Sequence, residues 1–290
     1  MTARGRCWKL PSAWLSTLAL LAIPCVAAAD EHYQFTAITA AATDLAKQDS
    51  VNGTGTEDKR KAVLQAEHFG ENNWGFFYGD VEYTHGKGVG EVPQIGNQGS
   101  AQSLYAVAIP SVSLAKVTGV SFTRGPLTDI GLLAILRASS YFQYRSYGIG
   151  LSFNFSVPGF LWFESGVTTH NSQWNVQPDT FNTNTGRDYT LDSLTWMWRT
   201  YLISKPIILG EQRFHYIWFS FINGSGSHQA AGHGAEFFVR QDFLWEVLKH
   251  SDFQLGIRYE YSRHKNDPAV NPGDNTFVAN VPFLMFKYTL

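Results

Sequence analysis

Charged and aromatic side chains that could bind a solute recur at every second position of several segments. In the segment 253–262, Arg258 and Glu260 alternate with Ile257 and Tyr259, and Arg240 has the same setting in 235–245. Guanidinium and carboxylate groups hydrogen-bond polar ligand groups, and aromatic rings stack on planar ones. We therefore expect solute-binding residues on the polar parity of these segments. The set is Phe76, Tyr78, Phe160, Trp162, Tyr201, Phe238, Phe283, Asp80, Glu82, Arg137, Glu164, Arg199, Glu236, Arg240, Asp242, Arg258, Glu260 and Lys287.

The same residues have a second interpretation, in which they only fill an interior. Inward rings and Arg–Glu pairs of a narrow barrel can pack together and neutralise each other across neighbouring strands. Ion-pair networks that serve structure alone are common. Sequence reasoning leaves both interpretations open.

A catalytic pattern occurs once and is weak. His170, Asn171 and Ser172 have the His-x-Ser spacing of the outer-membrane phospholipase, but Gln173 and Trp174 follow where Asn-Gly should stand. A nucleophilic serine needs a base and a third group that orients the base. We predict no enzymatic activity, and keep a phospholipase-like barrel or a loop-mediated receptor or adhesin as alternatives.

Metal-binding patterns are equally weak. His228 and His233 lie in the Gly-rich run GSGSHQAAGHG, which contains no carboxylate or cysteine. Asp267 and Asp274 are flanked by Pro and Gly, which is typical of loops. We predict no cofactor and no metal site.

Alternation with a period of two predicts that β-strands carry these residues. In the run YGIGLSFNFSVPGFLWFESGV, 147–167, the segments before and after Pro158-Gly159 each have one apolar and one polar face. About twelve such segments follow one another with alternating long and short connections, a pattern typical of outer-membrane barrels. They are 33–42, 60–69, 74–84, 104–115, 128–141, 145–157, 160–170, 188–202, 213–222, 235–245, 253–263 and 278–290.

The oily face could point to lipid or to the core of a soluble β-sandwich. Tyrosine and tryptophan collect near predicted strand ends, as at Tyr147, Trp245, Tyr259 and Tyr288. Such aromatic girdles mark the two interfaces of a membrane barrel. The expected fold is all-β, a twelve-stranded antiparallel transmembrane β-barrel in contact with outer-membrane lipid.

The N-terminus predicts export. Residues 1–29 combine Arg4, Arg6 and Lys9 with an apolar run and a small-x-small ending at Ala27 and Ala29, as in a signal peptide. The predicted mature chain, 30–290, has no cysteine, which favours the bacterial envelope over a disulfide-rich secreted domain. We expect the barrel in the bacterial outer membrane.

Charge and the C-terminus bear on partners. The formal net charge is only −2, so nucleic acid is not an expected partner. Leu284, Phe286, Tyr288 and Leu290 share one parity, which resembles the terminal signal of outer-membrane barrels, although that signal usually closes with Phe. The barrel-assembly machinery is therefore an expected partner.

Three stretches together resemble the Tsx-like nucleoside-specific channel-forming outer-membrane proteins. PSVSLAKVTGVSFTRG, 110–125, is similar to their Pro-x-x-Ser-Leu-x-Lys-x-Thr-Gly stretch, 147–167 to their Pro-Gly hairpin, and VPFLMFKYTL to their last strand. The likeness covers roughly 74–290. It implies a narrow twelve-stranded barrel that passes nucleosides or similar small solutes by diffusion over weak binding sites. Val107 and Ser111 stand where many relatives have charged lumen residues.

The direction of some side chains stays open. A strict two-residue turn at Pro158-Gly159 would turn Phe160 and Trp162 outward, whereas an inward Glu164 requires a bulge or a longer turn. The segment 213–222 is apolar on both parities, and the first two strands are bland. We take Phe160 and Trp162 as inward.

Overall fold

The computed structural model describes residues 33–49, 56–87, 100–140, 145–176, 189–224, 236–248, 251–265 and 276–290. The predicted signal peptide 1–29, His228, His233, Asp267 and Asp274 lie outside these ranges. Among the described residues there is no helix whose length and hydropathy would let it cross a bilayer.

Nearly all described residues belong to β-strands. In chain order these are β1 (Gln34–Asp49), β2 (Thr56–Asn72), β3 (Gly75–Lys87), β4 (Ser100–Ser113), β5 (Leu127–Ser139), β6 (Arg145–Phe155), β7 (Phe160–Val176), β8 (Tyr189–Ser204), β9 (Ile207–Leu209), β10 (Gln212–Asn223), β11 (Glu236–Glu246), β12 (Phe253–Lys265) and β13 (Thr276–Thr289). One short helix, α1 (Leu114–Thr118), follows β4.

The sheet closes on itself. Each long strand pairs antiparallel with its neighbour in sequence, β13 pairs with β1, and β10 pairs with both β8 and β11. The short β9 continues β8 beyond Lys205-Pro206 and pairs with β10. Proline lacks the N–H that the ladder needs, which accounts for the break. Counted with β8 and β9 as one interrupted strand, the barrel has twelve strands. The predicted all-β twelve-stranded fold is confirmed.

Two local features differ from the predicted segments. β1 continues to Asp49 and β2 begins at Thr56, so both strands are longer than the predicted segments 33–42 and 60–69. The segment 104–115 ends two residues early because Ser113 caps α1, its hydroxyl accepting from the Lys116 amide at 3.0 Å. Gly119 then ends α1 in the left-handed region, at φ 72°.

The polarity of the wall is the reverse of a soluble protein's. Ile149, Ile257 and Leu284 point outward and are 66%, 57% and 61% exposed, whereas Arg199 and Arg258 are buried inside. An apolar outer surface around a polar interior is the arrangement that lipid requires. The chain is a transmembrane barrel of the outer-membrane type, and the β-sandwich alternative is wrong.

Candidate functional site: a lumen cross-linked by charges and rings

Strand register places the charged residues of β11 and β12 side by side in the lumen. Asp242 lies opposite Arg258, and Arg240 opposite Glu260. Arg258 binds the Asp242 carboxylate with two nitrogens, Nε to Oδ1 at 2.8 Å and Nη2 to Oδ2 at 2.9 Å. This two-pronged geometry is the strongest form of the Arg–carboxylate bond. Arg240 and Arg258 therefore lie two residues apart in register, at similar depth in the lumen.

Further ion pairs tie strands around the wall. Lys287 of β13 donates to Glu67 Oε1 of β2 at 2.5 Å. Lys61 of β2 lies 3.2 Å from Glu260 of β12. We call Glu67, Arg240, Asp242, Arg258 and Lys287 the charge cluster.

A second pair stands on the opposite wall. Arg199 of β8 is hydrogen-bonded to Glu164 of β7, and both are buried. Nearby, the Arg137 guanidinium lies 4.5 Å from the ring centroid of Phe221. The attraction between a cation and the face of an aromatic ring is stronger when the pair is removed from water.

Aromatic rings span the lumen from wall to wall. Trp162 of β7 lies with its ring centroid 4.9 Å from Phe69 of β2 and 5.1 Å from Phe76 of β3. Tyr201 of β8 lies 5.4 Å from Tyr78 of β3. In a twelve-stave barrel these strands face each other. We call Phe69, Phe76, Tyr78, Trp162 and Tyr201 the aromatic cluster, and it closes this part of the lumen.

Tyr78 joins the two clusters. Its hydroxyl donates to Asp80 Oδ2 at 2.8 Å and lies 3.5 Å from Arg240 Nη2, which reaches it from β11. The Gln65 amide donates to the same Asp80 oxygen at 2.9 Å. The lumen is thus one connected set of polar and aromatic contacts.

The predicted site residues lie mostly where expected. Trp162 does face inward, and a bulge in the β7–β8 pairing between Phe160 and Trp162 makes this possible. The inward residues are Phe76, Tyr78, Trp162, Glu164, Arg199, Phe238, Arg240, Arg258 and Glu260, together with Asp80, Arg137, Tyr201, Asp242, Phe283 and Lys287.

Phe160 is the exception, and its expected inward direction is wrong. Its ring centroid lies 6.1 Å from that of Phe163, which packs 5.2 Å from Phe155 on the outer face. The bulge that turns Trp162 inward changes the parity between the two residues, so that Phe160 stays with the outer surface.

Sequence reasoning missed the part of the site contributed by β2. Lys61, Gln65, Glu67 and Phe69 all face inward, on the parity opposite to Leu64. The sequence does carry a signal for them, because Glu67 and Lys61 are six residues apart and so face the same side of a strand. In β10, Ile217, Phe219 and Phe221 face the interior and Ile222 is exposed, which settles the phase of that segment.

Several buried polar atoms of the lumen have no hydrogen-bond partner among the described residues. They include Arg240 Nε, Arg199 Nε, Asp80 Oδ1 and the Tyr201 hydroxyl. Unsatisfied polar atoms are costly inside an apolar core and are normally found where water or a ligand reaches them. Each of these atoms is enclosed by its neighbours, so a solute can bond to it only after those neighbours move.

The positions of His170 and Ser172 argue against the phospholipase-like alternative. His170 and Ser172 are both buried in the interior, 5% exposed each. A lipid substrate would lie against the outer face, away from both side chains. Within the described ranges, no group of three His, Cys, Asp or Glu residues is placed to hold a metal ion.

Comparisons with known proteins find barrels of the same general kind. No family model matches the chain, and no curated protein matches its sequence. Among solved structures, the β-domain of the Bordetella autotransporter BrkA shares 11% identity over 89% of this chain and 99% of its own, with a TM-score of 0.39. The translocator domain of the autotransporter NalP from Neisseria meningitidis shares 11% identity over 95% of each chain, with a TM-score of 0.37. OccAB2 from Acinetobacter baumannii shares 11% identity over 89% of this chain and 98% of its own, with a TM-score of 0.30. Scores this low carry no argument about function, and the assignment to an outer-membrane barrel rests on the closed sheet with its apolar outer face.

Proposed function

We propose that the protein is an outer-membrane channel for small polar solutes, with nucleosides as the candidate class. The observation that carries the proposal is the combination, in one lumen, of charges of both signs with a cluster of aromatic rings. The charges offer hydrogen bonds to sugar hydroxyls, and the rings offer faces to a planar base.

The cost of the charge cluster favours function over filling. Buried ion pairs add little stability compared with well-packed apolar residues of similar volume. A barrel that needed only a filled interior could use apolar side chains, as it does at Ile109, Leu133 and Ile135. Placing Arg258 and Asp242 fully inside, with neighbouring polar atoms left unsatisfied, fits a path for polar solutes better.

The aromatic cluster makes this a closed channel in the present conformation. Solute passage requires Trp162 or its partners Phe69 and Phe76 to change rotamer, because their rings meet across the lumen. Contacts of this kind are worth about 0.5–1.5 kcal/mol each beyond their burial. Such a barrier slows passage without preventing it.

A liposome-swelling assay tests the proposal. Proteoliposomes should admit nucleosides faster than disaccharides. Removing the rings with Phe69→Ala and Trp162→Ala together should raise total flux and reduce the preference. Trp196→Ala is the matched control, because Trp196 faces outward and is 51% exposed.

The contrary results are distinct. Equal entry of all small solutes into wild-type liposomes would indicate a general pore. No entry, even for the Phe69→Ala/Trp162→Ala variant, would indicate a plugged barrel with a receptor or structural role.

The same proposal includes biogenesis. Residues 1–29 would be removed on export, and the barrel-assembly machinery would recognise β13. Leu284, Phe286 and Tyr288 support this because all three are exposed on the outer face of that strand. Short turns and both ends of the described chain share one end of the barrel, and in outer-membrane barrels that end faces the periplasm.

A further inference from the structure

The short strand β9 buries neither of its faces. Ile207, Ile208 and Leu209 are 48%, 62% and 64% exposed, although successive residues of a strand point to opposite sides. The long strands differ, because one of their faces is buried in the lumen, as Arg258 shows for β12. Exposed apolar surface of this kind marks a place that meets a membrane or another protein.

The outer side of β9 continues the lipid-facing surface of the barrel. Phe214 lies opposite Ile207 in β9 and opposite Trp245 in β11, so these three side chains share the outer face. Leu209 follows on the same side. The Trp245 indole N–H donates to the side chain of Gln212, the residue opposite Leu209. Since Trp245 belongs to the predicted aromatic girdle, Leu209 lies just beyond that girdle.

The position of Leu209 corresponds to the headgroup layer of a bilayer. Two residues advance about 7 Å along a strand, or about 5 Å in depth at the usual tilt of roughly 40°. A hydrocarbon core of about 30 Å within a bilayer of about 40–45 Å leaves roughly 5–8 Å of headgroups on each side. The turn at Gly210, with φ 64°, ends the hairpin there.

The charges of the hairpin suit an anionic headgroup. Lys205 and Arg213 flank the apolar triplet, and Glu211 is the only acid between them. Neither cation forms a salt bridge with another described residue. The segment 205–213 therefore combines apolar side chains with one net positive charge, as membrane-surface segments do.

A protein partner fits this edge less well. Among the described strands β9 pairs with β10 alone, so its second edge is free. That edge is three residues long and follows Pro206, which has no N–H to donate. It therefore offers few hydrogen bonds to another strand, whereas lipid covers apolar side chains without needing a matching edge.

We propose that the hairpin 205–213 is a binding site for anionic phospholipid at the end of the barrel that carries the short turns. Ile207 and Leu209 contact the upper part of the acyl chains, and Lys205 and Arg213 bind the phosphate of the headgroup. The site goes beyond the proposed channel, because it lies outside the lumen and needs no solute.

Fluorescence quenching in phosphatidylglycerol vesicles tests the depth of the hairpin. In a Cys7→Ser, Cys25→Ser background, Leu209→Cys accepts one environment-sensitive dye. Phospholipid with a nitroxide on its headgroup should quench this dye, and water-soluble acrylamide should not. Val117→Cys, on the exposed side of α1, should show the reverse. Equal acrylamide quenching at the two positions would overturn the proposal. Protection from both quenchers at position 209 would also overturn it, since a protein, such as a second copy of the chain, would then cover β9.

The choice of lipid tests the two cations. In mixed vesicles, nitroxide-labelled phosphatidylglycerol should be enriched near the dye at position 209 about fivefold over labelled phosphatidylcholine, as expected for one net positive charge. Lys205→Gln with Arg213→Gln should abolish this preference. Arg124→Gln is the matched control, because Arg124 is an exposed cation of the β4–β5 connection, and it should leave the preference unchanged. Equal quenching by the two lipids with Lys205 and Arg213 in place would overturn the proposal.

Discussion

Replacing Arg258 by alanine tests whether the charge cluster matters for both stability and selectivity. Arg258 and Asp242 are 0% and 2% exposed and share two hydrogen bonds of 2.8 and 2.9 Å. Arg258→Ala leaves the Asp242 carboxylate buried without its main partner, which typically costs about 3–5 kcal/mol. It also removes one positive charge from the lumen, so conductance should shift towards cations and nucleoside block should weaken.

Urea unfolding in phospholipid vesicles measures the first effect, and single-channel recording measures the second. Ile257→Val is the control: this neighbour faces lipid, so stability should change by less than about 0.5 kcal/mol and selectivity should not change. The paired change Arg258→Met/Asp242→Leu removes both charges and should restore most of the lost stability. Unchanged selectivity and unchanged nucleoside block in Arg258→Ala would show that these charges only fill the lumen. A stability loss below about 1 kcal/mol would contradict the cost expected for the unpaired Asp242 carboxylate.

Three further predictions follow from the barrel. On a denaturing gel, the unboiled, folded chain should migrate faster than the boiled, unfolded chain. Recovery of the protein as a soluble periplasmic monomer would contradict the membrane assignment. Phe76→Ala with Tyr78→Ala should erode nucleoside preference in swelling assays more than it changes total flux, because both rings belong to the aromatic cluster; an unchanged preference would exclude these rings from selection. Gly148→Ala should destabilise the barrel by about 1–3 kcal/mol in urea, since its new Cβ would lie 2.0 Å from the Thr169 carbonyl oxygen. Gly70→Ala is the milder matched change, as its nearest neighbour is the end of the His68 side chain at 3.1 Å, and equal losses in the two variants would contradict the steric argument.

Strand alternation predicted the fold because the barrel has only two environments. Each residue of a stave faces either lipid or lumen, so a strong pattern such as that from Phe253 to Tyr261 determines both the strand and its direction. The prediction was poor where the pattern was weak. The Ala-rich β1 shows little contrast between its faces, and the loss of phase there hid the inward direction of Glu67 and Phe69 in β2.

Local irregularities explain the remaining errors. A bulge interrupts the alternation of inward and outward residues. Because of the bulge between Phe160 and Trp162, the inward prediction is right for Trp162 and wrong for Phe160. The contacts across the lumen were also beyond reach, since Trp162 meets Phe69 only because the barrel closes. Alternation places a residue inside the barrel, but it does not say which opposite residue it touches.

The contacts that cross the lumen also bear on how the barrel holds together over time. Lys287 and Glu67 are 220 residues apart in the chain, and Arg240 and Tyr78 are 162 apart. Such pairs can form only after the last staves have closed, so we expect them to be absent from the transition state for folding. Interactions absent from that transition state slow unfolding and leave the folding rate nearly unchanged. The contacts across the lumen should therefore slow unfolding of the closed barrel more than they speed its folding.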